Sequence, residues 1–117
     1  MKRISRQALE AELDGIVRCL HHYAPQKVIL FGSFARGDYN AGSDLDLLII
    51  KETEQPFIER SADIWRVCPS SLPIEPLVYT SGELARMIED DNPFIKQVLS
   101  EGIVIYEQQS ERRATLA

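Results

Sequence analysis

The spacing of apolar residues changes several times along the chain, and each change marks an element. Between Ser5 and His22, Leu9, Leu13, Ile16, Val17 and Leu20 recur at helical spacing opposite Glu10, Glu12, Asp14 and Arg18. This predicts an amphipathic helix, with Ser5 as its N-cap. His21 and His22 close it, where a protonated imidazole suits the helix dipole. Tyr23-Ala24-Pro25 stops the helix. Lys27 to Phe31 is apolar on consecutive residues, the pattern of a strand buried on both faces and central in its sheet. Gly32-Ser33 then turns the chain into a short helix, and Asp38-Tyr39-Asn40-Ala41-Gly42 is a turn-rich connection. A second strand is expected from Asp44 to Lys51.

Beyond it, Thr53-Glu54-Gln55-Pro56 opens another helix. Phe57, Ile58, Ala62 and Trp65 follow on it, with Trp65 expected in the core. Ile74 to Tyr79 reads as a third strand. Pro76 cannot donate to a ladder, which places this strand at an edge or bulges it. Thr80-Ser81-Gly82-Glu83 has the form of a capping box. Asn92-Pro93 starts a last helix, as cap and first residue. Its inward residues are expected to be Phe94, Ile95, Val98 and Leu99, and Gly102 ends it. Ile103 to Tyr106 is a short final strand, and a polar tail follows from Glu107.

Composition narrows the picture. At 117 residues the chain suits one domain with one core. No apolar run approaches a bilayer span, and no apolar segment follows the basic start Met1-Lys2-Arg3, so a cytoplasmic location is expected. Only two cysteines are present, Cys19 and Cys68, and each is expected to be a small buried residue. The net charge of −5 argues against gripping long nucleic acid, which relies on clustered Lys and Arg. A small-molecule or protein acceptor fits better.

The chemistry concentrates in residues 28 to 51. Asp44 and Asp46 are two residues apart on a strand and project to one face, while Leu45 and Leu47 point the other way. Carboxylates so close repel unless a cation sits between them, and hard oxygen ligands favour Mg²⁺ completed by water and phosphate. The backbone N–H groups and hydroxyl of Gly32-Ser33 suit phosphate oxygens. This is not a P-loop, because no Gly-Lys-Ser/Thr follows. Nor is it an EF-hand: counted from Asp44, the required Gly and Glu positions are Ile49 and Gln55. Arg36 has a functional reading as a contact to nucleotide phosphate or to a neighbouring backbone segment. Ser43 precedes the aspartates and is placed to orient them.

Gly32-Ser33, ten residues, then Asp44-Leu45-Asp46, within GSFARGDYNAGSDLDLLII, resembles the signature of the polymerase-β-type nucleotidyltransferase superfamily. Over essentially the whole chain it is similar to the minimal nucleotidyltransferases, often the antitoxins of pairs whose toxin is a helical HEPN ribonuclease. The resemblance implies an α/β (α+β) nucleotidyltransferase fold, a small mixed sheet flanked by helices. It implies one domain over 1–117, with an ordered core of about 5–106 and a tail at 107–117. It further implies two Mg²⁺ ions, ATP as donor and a tyrosine of the partner HEPN toxin as acceptor. Nucleotide contacts are expected at Gly32, Ser33, Arg36 and Ser43, and metal ligation at Asp44, Asp46 and a third acidic residue on the adjacent strand. Glu75 is the candidate for that third residue, where the family usually has Asp; its other reading is an exposed edge-strand charge. A homo-oligomer is compatible with this reading. The rival function is a binding module that neutralises its partner by occlusion, without catalysis.

Overall fold

The computed structural model describes residues 4–40 and 42–108. Four strands form one mixed sheet in the order β3-β2-β1-β4. These are β1 (Lys27–Phe31), β2 (Leu45–Ile50), β3 (Ile74–Tyr79) and β4 (Ile103–Glu107). β1 is antiparallel to both β2 and β4, while β2 and β3 are parallel. The described residues also form five helices: α1 (Arg6–His21), α2 (Ser33–Arg36), α3 (Phe57–Val67), α4 (Ser81–Glu89) and α5 (Pro93–Glu101).

The period-two alternation of β2 divides the core into two layers. Leu45, Leu47 and Ile49 join Val28, Leu30, Ile74 and Val78 on one face, against Leu9, Ile16 and Leu20 of α1 and Ile64 of α3. Leu48 and Ile50 join Ile29 and Phe31 on the other, against Ile95 and Val98 of α5, with Leu84 and Met87 of α4 at the margin. Both faces of β1 and β2 are thus covered, as the continuous apolar run of β1 predicts for that strand. The caps match the sequence reading: Ser5 Oγ accepts from Ala8 N, Thr80 and Glu83 form a reciprocal capping box, and Asn92 accepts from Ile95 N. Cys68 is buried and Cys19 half-buried, both free. Burial, and then its neighbour Cys19, pushes the Cys68 thiol up to about 12, as suits an inert core residue.

Four expectations are corrected. Trp65 is 53% exposed and Ile58 86% exposed, so their helical spacing marks the outer face of α3 and not the core. Phe94 and Leu99 are also exposed, Phe94 at the margin with its ring edge-on to Phe31 of β1, while Ile95 and Val98 are the buried residues of the helix. The third helix begins at Phe57, after Pro56 as its cap, since the Thr53-Glu54-Gln55 stretch remains outside it. Glu107 belongs to β4, opposite Lys27, and not to the tail; residues 109–117 of that tail lie outside the described residues.

Trp65 has a different task. β3 is an edge strand, as Pro76 requires. Leu45 N donates to Pro73 O and Lys51 N to Tyr79 O, which sets Glu75, Leu77 and Tyr79 to pair with β2. Ile74, Pro76 and Val78 then face outward. Each outward carbonyl accepts from α3: Ile74 O from Trp65 Nε1 at 2.8 Å, Pro76 O from Ser61 Oγ at 3.1 Å, and Val78 O from Arg60 Nη1 at 3.0 Å. The helix therefore closes the edge that proline leaves without a donor. Arg60 is buried and also makes a two-pronged ion pair with Glu83, at 2.7 and 3.1 Å. One guanidinium joins α3, β3 and the cap of α4.

This ion pair holds the Glu83 carboxyl at about 2, against an ordinary 4.5, chiefly through the Arg60 hydrogen bonds. Its contribution is present above pH 4.5 and lost as pH falls toward 2. Glu83→Gln is expected to cost about 1–2 kcal/mol near neutral pH. That is less than a fully buried pair would lose, because the Glu83 side chain is 42% exposed and screened. Urea unfolding at several pH values would check this; the variant's stability should fall less steeply in acid than that of the parent.

Candidate functional site

The turn from β1 into α2 is the site's foundation. Gly32 has φ 76° and ψ −156°, a region open essentially to glycine alone. A β-carbon built there would lie 2.1 Å from Asp46 Oδ2 and 3.0 Å from Asp46 Cγ. The carboxylate of Asp46 thus fills the space a side chain at position 32 would need. This is a demand on Gly32 beside the phosphate contact expected of its backbone: the space its side chain would need is taken by a carboxylate of the protein. Strand pairing explains the contact, because Phe31, the residue before Gly32, is the register partner of Asp46.

The same register brings in Glu75. Asp46 and Glu75 are partners across the parallel β2–β3 pair, and both face the α4/α5 side, as Leu48 and Leu77 do. Asp44 lies one residue before β2 and is exposed, so the strand is shorter than the sequence suggested. It still acts on its neighbour. Burial raises the Asp46 carboxyl, and the charges of Asp44 and Glu75 raise it further. Arg36 opposes them weakly. Three acidic groups therefore share one corner of the sheet, with Asp46 half-buried and Asp44 and Glu75 exposed. Among the described residues, no three His, Cys, Asp or Glu side chains are grouped tightly enough to hold a metal ion as they stand. Two hard carboxylates that burden each other, Asp44 and Asp46, nonetheless fit Mg²⁺, which takes one or two protein carboxylates and fills its shell with water and phosphate.

The remaining predicted residues separate. Ser33 is the first residue of α2, half-buried beside Gly32. Arg36 ends that helix: its Nε donates to Asp38 Oδ2 at 3.3 Å and its Nη1 to Glu101 Oε1 at 3.1 Å. Glu101 went unnoticed in the sequence because it lies 65 positions away at the end of α5, with no local pattern to flag it. Ser43 Oγ accepts from Asn40 N at 2.9 Å, which fastens the loop ahead of the aspartates. The His21–His22 pair lies at the surface away from this corner, edge-on to Tyr106 in the case of His21.

Comparison with known proteins agrees with this geometry. The family described as "Polymerase beta, Nucleotidyltransferase" matches residues 15–111. Two proteins of Methanocaldococcus jannaschii are similar over parts of the chain, and both are named "putative protein adenylyltransferase". One is 48% identical over 33 residues, covering 28% of this chain and 33% of the relative. The other is 38% identical over 58 residues, covering 45% and 58%. The aligned segments thus span less than two thirds of either relative. Among solved structures, a Sulfolobus solfataricus chain described as a "putative nucleotidyltransferase" matches with TM-score 0.60 and 21% identity, covering 92% of this chain and 94% of that one. A toxin–antitoxin structure with AMP-PNP matches with TM-score 0.56 and 19% identity, over 87% and 78%. A minimal nucleotidyltransferase structure matches at 0.55 and 22%, over 88% and 98%. The expected fold, a small mixed sheet flanked by helices, is borne out.

Two substitutions probe the corner. Gly32→Ala is expected to cost about 1–3 kcal/mol in urea unfolding, from backbone strain and displacement of Asp46. Asp46→Asn should do the reverse. The raised carboxyl means that ionised Asp46 weakens the fold as pH rises through its folded value, so the neutral isostere should melt higher than the parent at pH 8 without divalent cations. A lower melting temperature would show that the carboxylates do not burden one another.

Proposed function

Because the chain belongs to the polymerase β nucleotidyltransferase family, we propose that it transfers a nucleoside monophosphate, AMP from ATP, to a hydroxyl of a protein partner. The observation that carries this reading is the carboxylate corner: Asp46 seated against Gly32, in register with Glu75 and within the field of Asp44. In this reading Asp44 and Asp46 hold Mg²⁺, and Glu75 is the third carboxylate, toward the acceptor. A bound pair of such ions would polarise the nucleophile and neutralise the leaving oxygen. The chain's own residues position the reactants. Ser33 and the backbone at Gly32 hold the terminal phosphates, and Arg36 adds a positive charge beside them. The acceptor oxygen bonds to the α-phosphorus as the bond to pyrophosphate breaks. The names of the Methanocaldococcus relatives support protein adenylylation, and the toxin–antitoxin neighbour supports a toxin as partner. The acceptor is then a tyrosine of a HEPN-family toxin, and the chain its antitoxin.

A second reading is favoured by one observation. Glu75 is exposed and the three carboxylates are not drawn into a closed cluster. A protein that only occludes its partner would tolerate that arrangement.

Intact-mass spectrometry of a co-expressed partner, incubated with this chain, Mg²⁺ and each nucleotide, separates the two. A gain of one or more nucleoside monophosphates is expected with ATP and should vanish in the Asp44→Asn/Asp46→Asn double variant with its fold intact. Tight complex formation with no mass gain would favour occlusion. Glu75→Gln is expected to slow transfer by about 10²-fold if Glu75 aids the acceptor, and an unchanged rate would return it to an edge-strand charge.

A further inference from the structure

Arg36 is tied at two points, and the two ties are unequal. Asp38 lies in the exposed connection after α2, and its side chain is 63% exposed. Glu101 is only 23% exposed. Its backbone is also the better fixed. Ile95 and Val98 of the same helix are buried, and Gly102 N donates to Val98 O at 2.7 Å. A β-carbon at Gly102 would come within 2.5 Å of Ile29 Cγ2, so the chain is pressed onto β1 immediately after Glu101. Both bonds to Arg36 use Nε and Nη1, and among the described residues none uses Nη2.

We infer that Glu101 is a positioning residue for nucleotide binding: it anchors the Arg36 guanidinium so that the Nη2 edge is available to a phosphate held beside Gly32-Ser33. The inference rests on the site reading above and adds the residue that prepares it. An arginine on a four-residue helix has many side-chain rotamers to lose when it is fixed. Holding it in advance removes part of that cost at the moment of binding. Charge alone predicts the opposite sign, because Glu101 is an anion near an anion site and its removal would then tighten nucleotide binding.

The test is a double-mutant cycle read by calorimetric binding of AMP-PNP with Mg²⁺ to the parent, Glu101→Gln, Arg36→Ala and the double variant. Glu101→Gln is expected to weaken binding about fivefold when Arg36 is present, the scale of a partly exposed ion pair, and to change nothing when Arg36 is absent. Glu101→Asp should recover part of the loss. Unchanged or tighter binding by Glu101→Gln, or an equal loss in both backgrounds, would overturn the inference. If the parent binds AMP-PNP and the Asp44→Asn/Asp46→Asn variant binds it more weakly, such a failure leaves the proposed function standing. If the parent itself does not bind, both fall together.

Discussion

The space left by a missing β-carbon at Gly32 is filled by the carboxylate of Asp46, and much of the molecule follows from that contact. It requires β1 and β2 to pair with Phe31 opposite Asp46, which fixes the register of the two central strands. It requires the chain to leave β1 through a backbone conformation that glycine alone adopts readily, which sets the direction of α2. That direction carries Arg36 to the end of α5. The parallel pairing of β3 then sets Glu75 opposite Asp46. A shift of one residue between any two of these strands would turn the carboxylates into the α1/α3 layer and Leu45 or Leu47 out of it.

The frame around this corner is correspondingly rigid. Leu45, Leu47, Leu48 and Ile49 are fully buried, so the four residues around Asp46 in β2 are locked by packing on both faces. Such a strand can carry a partly buried carboxylate whose neighbours repel it. Destabilised groups held on a stable frame are a common mark of functional sites. The arrangement also divides labour. The half of the sheet facing α1 and α3 holds most of the core, while the half facing α4 and α5 has the smaller core and the polar corner.

What the sequence disclosed depended on how local the cause was. Caps at Ser5, Thr80 and Asn92 are decided within four residues, and they stand as read. The continuous apolar run from Lys27 to Phe31 announced a central strand, and Pro76 announced an edge or a bulge. The nearness of Asp44 to Asp46 was legible from their spacing of two residues, although Asp44 lies just before the strand. The errors came where helical spacing met an unknown neighbour. Ile58, Ala62 and Trp65 have the spacing of a buried stripe, yet α3 turns Arg60 and Ile64 inward instead. Nothing local to a buried arginine reveals that three carbonyls of an edge strand need donors. Likewise, the Glu101 contact joins two helix ends that only the completed sheet brings together.

The closed outer side of β3 bears on how copies of this chain could join. With the outward carbonyls of Ile74, Pro76 and Val78 already answered by α3, a strand added beside β3 would have to displace that helix, which leaves β4 as the other edge of the described sheet. Endless head-to-tail stacking needs two complementary open edges in every copy. A molecule with one can meet only its like across a twofold axis, and growth ends with that pair. The proline and the three side chains of α3 therefore work against endless strand-mediated stacking through β3.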